Sequence, residues 1–445
     1  VTSFLPRLLL AALFAALAAV LGWPNLWLDE VLQLVGTLRT SFGQMLAWVA
    51  TQPGGGPLGY LVQWAALAVF GFSSFTARLP ALAAAAVGCV LLARLAARCG
   101  APQPWGAAVA LAILPIHVRY AIEARPYSLA LALSILATLL FLRTAEAPRA
   151  PRAALYAASL AMCLYTQPFS AFVAGGHLLW ALRLGRRKVF ALGLGACAAA
   201  GLAFLPWFLH ARGQWQQSIG ASGFVFRGGW IGTPLLLLRE ITGAGFAGTA
   251  ILLAAAFAGA RRLDPAPRLL LLTTATVPVA AALLGDFWFG YFLAIRQFLW
   301  IVPPLAILAA AGLSDRRSVA GAVAALALAY DVRVVVRPRE NWPEAARAVV
   351  ELAPRADCIA FVPPDAHLVY GVFAPGIGQR ACGPAPRGPV LRVTVPQATA
   401  EEVTHAARPG WTILESAAAG GSRLELLTPP AVPAAPGGHA LSVPR

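Results

Sequence analysis

Acidic residues are scarce in this chain: 18 Asp and Glu among 445 residues, against 34 Lys and Arg. Two of them stand side by side, Asp29 and Glu30, in the stretch NLWLDE where the first apolar run ends. Other polar residues gather at the ends of later apolar runs. His117, Arg119, Glu123, Arg125 and Tyr127 lie in IHVRYAIEARPY, Thr166 and Gln167 in YTQPF, and Asp286, Tyr291, Arg296 and Gln297 in GDFWFGYFLAIRQ. An ionisable group near hydrocarbon costs on the order of a few kcal/mol, so it faces a wet cavity or an opposite charge. A carboxylate at such a boundary can take a proton from a hydroxyl. Arginine suits a phosphate, because its planar guanidinium donates two parallel, charge-assisted hydrogen bonds. Carboxylates and arginines in one outward-facing cavity would activate a nucleophile beside a phosphate.

Each of these residues also has a plainer explanation. Arg78 and Arg119 fit as anchors that snorkel to the interface. Glu123 and Arg125 fit as a structural pair across a loop, Arg296 as an interfacial anchor at the head of RQFLWIVPP, and His117 as a satisfied core histidine. Asp29 and Glu30 are harder to dismiss. Acidic pairs at helix ends are common in water, but the aromatics of WPNLW hold this pair at the interface.

The elements that must position them are membrane helices. The chain is 59% hydrophobic and 12% charged, with mean hydropathy +0.71, whereas soluble domains carry roughly 25% charged residues. Apolar stretches of about 20 residues recur through the first three quarters, which predicts a polytopic membrane protein. The net charge of +16 follows from Arg and Lys gathering in cytoplasmic loops. No basic stripe interleaved with aromatics is present, so nucleic acid is not an expected partner. The first run has the length of a signal peptide, but WPNLWLDE lacks a small-residue cleavage pattern and more spans follow, so a retained first helix is expected.

Five basic clusters set the topology: Arg94/Arg98, Arg143/Arg149/Arg152, Arg183/Arg186/Arg187/Lys188, Arg261/Arg262/Arg268 and Arg316/Arg317. With all five cytoplasmic, helix pairs near 105–118 and 126–142, 153–165 and 169–182, 189–209 and 246–260, and 269–285 and 298–313 each cross out and back. Between the first helix, 8–26, and Arg94 only one span fits, although two apolar segments exist. PLGYLVQWAALAVFGF, the shorter, is therefore expected as a juxtamembrane or re-entrant helix, and TSFGQMLAWVA at 40–50 as an interfacial helix. A last span near 318–336 leads outside. The expected fold is a polytopic α-helical membrane protein of about eleven transmembrane helices, N-terminus cytoplasmic and C-terminus outside.

Beyond residue 337 the texture changes. NWPEAARAVVELA reads as a helix with Asn341 as N-cap, CIAFV and VLRVTV as strands, ATAEEVTHAAR as a helix, and WTILES with SRLELL as a terminal hairpin. This predicts a membrane domain over 1–337, a small α/β domain over 338–428 and a disordered Pro/Ala/Gly-rich tail over 429–445. Cys89, Cys163 and Cys197 lie in apolar runs, and Cys99 in a basic loop. Cys358 and Cys382 admit either a disulfide or two isolated thiols. No Cys/His spacing suits structural zinc.

The order of the motifs, LWLDE, PLGY, ARLPALAAAAVG, ILPIHVRYAIEARPYSLALALSIL, LYTQPFSAF and RQFLWIVPPLAILAAAGL, resembles that of the family 39-type membrane glycosyltransferases. These share the C-type architecture of protein O-mannosyltransferases and bacterial lipid A aminoarabinose transferases. The resemblance covers about residues 5–315. It implies a polyprenyl-phosphate sugar donor and transfer to a lipid, glycan or protein hydroxyl on the outer face of the cytoplasmic (inner) membrane. Asp29 falls where the family has its catalytic base. Glu123, Arg125 and Tyr127 fall on the EAR-x-Y segment, and Arg296 on the arginine before the late Pro-rich helix. One departure stands out: QPGGGPLGY has no basic residue where many relatives carry His-Pro-Pro or Lys-Pro-Pro, although Pro57 and Tyr60 remain.

The expected catalytic pair is then Asp29, as base, with Glu30 orienting it. The expected substrate-binding residues are Tyr60, Arg78, Arg119, Glu123, Arg125, Tyr127, Gln167, Tyr291, Arg296 and Gln297. Arg125 and Arg296 stabilise the departing phosphate, and Glu123 holds Arg125. The prenyl chain lies in a groove between helices, and the outer domain caps the cavity or binds the acceptor. No cofactor is expected, although Asp29, Glu30 and Asp286 have the oxygen chemistry for Mg²⁺ or Mn²⁺. A secondary transporter with Asp29 as ion carrier is the alternative, but the two matching halves with interrupted helices that many transporters show are missing. A non-catalytic envelope scaffold is the other.

Overall fold

The computed structural model describes residues 4–38, 41–52, 56–218, 229–289, 295–383, 386 and 388–430. Tyr291, residues 53–55 of the glycine-rich stretch and residues 431–445 of the tail lie outside the described residues. The chain forms two compact units. One comprises Val1–Pro24 and Gly36–Pro338, the other Asn25–Val35 and Arg339–Arg445.

The first unit is helical. A helix stands at every expected span, but they are unequal. Among the described residues, six are long and apolar enough to cross a membrane alone: Ser74–Arg98, Tyr127–Glu146, Arg187–Gly213, Pro265–Gly285, Ile295–Leu313 and Arg317–Val335. Pro234–Glu240 and Gly245–Ala260 form a seventh if counted as one bent pair, with 84° between them. The others are short or broken. Phe4–Val20 has 17 residues. The span expected over 105–118 is two helices, Pro104–Ala112 and Pro115–Ala121. Pro115 explains the break, since proline lacks an N–H and disfavours helical geometry in the residue before it. The two segments expected in the first outer loop are the short helices Phe42–Thr51 and Pro57–Phe70. Buried alanines and leucines of Ser74–Arg98, Pro104–Ala112, Tyr127–Glu146 and Val302–Leu313 form the main core. Cys99 caps the end of Ser74–Arg98 and is buried, not exposed in a loop.

The second unit contains β1 (Cys358–Val362), β2 (Val390–Thr394), β3 (Thr412–Ala419) and β4 (Ser422–Thr428), in the order β1-β2-β4-β3. β1 and β2 are parallel; β4 is antiparallel to both β2 and β3. Helix Trp342–Leu352 begins where Asn341 accepts from the Glu344 N–H, and Ala400–His405 begins at a Thr399/Glu402 capping box. A further helix, Ala366–Phe373, was not expected. Cys358 and Cys382 are disulfide-bonded, which settles the open pair and ties β1 to the segment after that helix.

Candidate active site

Within the first unit, the residues of IHVRYAIEARPY and RQFLW converge on one aromatic ring. Tyr127 opens helix Tyr127–Glu146 after the turn that carries Glu123 and Arg125. Arg125 Nη2 donates to the Tyr127 hydroxyl at 3.0 Å, and the Arg125 guanidinium lies 5.4 Å from the ring centre. Arg296, on the short helical segment Ile295–Ile301, stands 5.9 Å from the same ring. Tyr120 meets it edge-on at 5.0 Å, and Arg119 stacks over Tyr120 at 5.5 Å. Cations over aromatic faces are held by the ring quadrupole. Glu123 Oε1 accepts from Arg119 Nε at 3.0 Å, an i,i+4 ion pair on the buried carboxylate. Arg119 therefore serves this cluster rather than lipid headgroups.

Helix Pro57–Phe70 fixes the turn from one side. A Cβ on Gly59 would lie 2.4 Å from Cβ of Pro126, and one on Gly56 2.2 Å from the Tyr165 carbonyl oxygen. Only glycine permits so close an approach, so Gly56 and Gly59 of GPLGY serve contact. Gln63, which the motif search missed, donates from Nε2 to the carbonyls of Ala77 at 2.9 Å and Ala124 at 3.4 Å. It also accepts from Thr37 Oγ1 at 3.2 Å. A lone glutamine in an otherwise apolar helix, PLGYLVQWAALAVF, was the available signal.

Several expected substrate residues have other surroundings. Arg78 is fully buried and donates from Nη1 to the carbonyls of Leu21 at 2.9 Å and Pro24 at 2.7 Å. It fixes the chain where it leaves the first helix. Tyr60 packs in an apolar cluster with Met45, Val49, Phe204 and Trp207. Gln167 caps helix Ala150–Thr166, where its carbonyl accepts from Ser170. Gln297 is buried beside Arg296, and His117 is buried as a core histidine would be.

Asp29 and Glu30 belong to the second unit. They were expected to end the first helix, yet that helix stops at Val20, and the pair opens helix Leu28–Thr37. Gly22 and Pro24 account for the break, and carboxylates are favoured in a first turn by the helix dipole. Glu30 Oε2 accepts from the Trp27 N–H at 3.1 Å and from Arg339 Nη1 at 2.8 Å. Both side chains of that ion pair are buried, 0% and 8% exposed. Asp29 is half-buried. A guanidinium thus already faces Glu30. The side chain of Asp286 lies outside the described residues.

Residues 52–210 match the family model of dolichyl-phosphate-mannose-protein mannosyltransferases. No curated protein matches the sequence. Among solved structures, the apo form of ArnT from Cupriavidus metallidurans aligns with a TM-score of 0.61 at 14% identity, over 94% of this chain and 97% of that one. The same protein bound to undecaprenyl phosphate aligns with a TM-score of 0.62 at 14% identity and the same coverage. The chain is thus a multi-pass membrane protein with the C-type fold of membrane glycosyltransferases, and its segment 52–210 carries the protein-mannosyltransferase match.

Proposed function

We propose that the protein transfers a hexose or pentose from a polyprenyl-phosphate donor to a hydroxyl of a cell-envelope lipid, glycan or protein. Transfer takes place on the outer face of the cytoplasmic membrane, with inversion and without a metal. The observation that carries this reading is the meeting of Arg125 and Arg296 at the Tyr127 ring. Two guanidiniums from distant segments that approach one ring suit a shared anion such as a phosphate. The similarity to a protein that has been solved with undecaprenyl phosphate supports a polyprenyl carrier. A disulfide in the C-terminal unit supports its exposure to the oxidising side.

In this mechanism the acceptor oxygen attacks the anomeric carbon while Asp29 takes its proton. The bond from that carbon to the donor's phosphate oxygen breaks, and the electron pair leaves with the phosphate. Arg125 and Arg296 stabilise the charge that grows there. Arg119 and Glu123 hold the surrounding turn. General-base help of this kind is worth about 10²–10⁴-fold. Sugar transfer from radiolabelled polyprenyl-phosphate sugars by the purified protein in lipid tests the reading. Wild type should transfer, and Asp29→Asn should lose about 10²–10⁴-fold in turnover while still binding donor. A wild type that neither binds nor uses any hexosyl or pentosyl donor would overturn it.

A further inference from the structure

The buried ion pair of the second unit joins residues 309 positions apart, Glu30 and Arg339. Arg339 is the first residue of the C-terminal part of that unit, and Glu30 sits in the first turn of helix Leu28–Thr37, one residue after Asp29. Arg339 is itself anchored to the sheet. Its neighbour Glu340 accepts from Gln397 Nε2, just beyond β2, at 2.6 Å, and the Asn341 N–H donates to Gly420 in the β3–β4 turn at 3.1 Å. A continuous chain of contacts therefore runs from the sheet through Arg339 and Glu30 to the Trp27 N–H at the start of the helix.

Surface ion pairs add little, and their members are replaceable. Here both members are buried, so losing either removes a counter-charge from a group that has little access to water. Such a contact fixes geometry, and what it fixes is the first helical turn that carries Asp29. The two carboxylates divide the work: Glu30 is wholly enclosed, whereas Asp29 keeps part of its surface.

We infer that Arg339 is a positioning residue for Asp29, acting through Glu30, so that the C-terminal domain sets the aim of the base in addition to any role as cap or acceptor-binding surface. The inference rests on the proposed role of Asp29 and deepens it.

Arg339→Met, Arg339→Lys and Glu30→Gln, each in the full chain in lipid, test it by two readouts. The first is hydrogen exchange of amides in Asn25–Val35 beside those of β1–β4. The second is steady-state transfer. Arg339→Met should speed exchange in Asn25–Val35 with the sheet unchanged, and lower kcat by about 10–100-fold with donor KM within about twofold, as expected of a misplaced group. Arg339→Lys should recover part of the loss. Glu30→Gln keeps an acceptor for Trp27 but removes the charge, and should fall between the two. It also serves if Arg339→Met does not fold. Unchanged exchange in Asn25–Val35, or an unchanged kcat, would overturn the inference. So would a loss confined to donor KM. A wild type without any transfer would instead sink the functional reading, while the exchange would still report whether Arg339 holds the helix.

Discussion

Arg296 and Tyr127 come from opposite halves of the chain, and the guanidinium of one stands 5.9 Å from the ring centre of the other. Arg125 approaches the same ring at 5.4 Å and donates to its hydroxyl. Arg296→Ala should weaken binding of polyprenyl phosphate by about 10–100-fold, from the roughly 1.5–3 kcal/mol of a charged hydrogen bond. Arg296→Lys should not restore it, because an ammonium lacks the planar fork. Inhibition of transfer by added polyprenyl phosphate measures this. Equal inhibition of wild type and both variants would remove Arg296 from the phosphate site.

Arg78 should behave as a structural residue. Its guanidinium satisfies two carbonyls at the exit of the first helix, so Arg78→Met should lower stability by about 3 kcal/mol. The folded fraction should keep its donor KM. Thermal melts in detergent alongside kinetics separate the two roles, and a raised KM at unchanged melting temperature would return Arg78 to the substrate.

Gly59→Ala forces a methyl to within 2.4 Å of Pro126. The helix or the turn must move, at about 1–3 kcal/mol. Stability and turnover should fall together, because the turn carries Arg125. Ala at Gly43, where a Cβ meets nothing within 4 Å, is the control and should leave stability within about 0.5 kcal/mol of wild type.

The C-terminal unit has a built-in alkaline limit. Burial pushes the Tyr370 phenol up to about 12 from 10, opposed by its 2.7 Å bond to Ser422 Oγ. The unfolded chain then ionises first. The stability this group contributes is complete below pH 10 and declines as pH rises through about 12. Thermal melts followed by the near-ultraviolet signal of the domain should show this decline, and Tyr370→Phe should flatten it. An equal decline in Tyr370→Phe would assign it to other groups.

Much of this was legible because the signals were local. Asn341 before Trp342–Leu352 and the short apolar runs CIAFV and VLRVTV at β1 and β2 are short-range patterns. The order of EARPY and RQFLW marked the residues that meet at Tyr127. What stayed hidden depended on distant partners. Nothing near Arg78 in the sequence indicates the carbonyls of Leu21 and Pro24, and nothing near Glu30 indicates Arg339. The helix at Leu28 stayed hidden because the expected first span, 8–26, runs through Gly22 and Pro24, where the chain instead breaks between two helices. The ion pair of Glu123 with Arg119, four residues back on the helical turn, was not anticipated either.

The ion pair between Glu30 and Arg339 also has a consequence for biosynthesis. A ribosome delivers Glu30 with the first helix and Arg339 only after every membrane helix has been made. Throughout that interval the acidic turn has no cation from its own unit. Closure of the pair is therefore a late event, after insertion is complete. A chain released before residue 339 would carry Asp29 on a segment still waiting for its anchor, so the protein's first candidate catalytic residue to be translated becomes one of the last to be set in place.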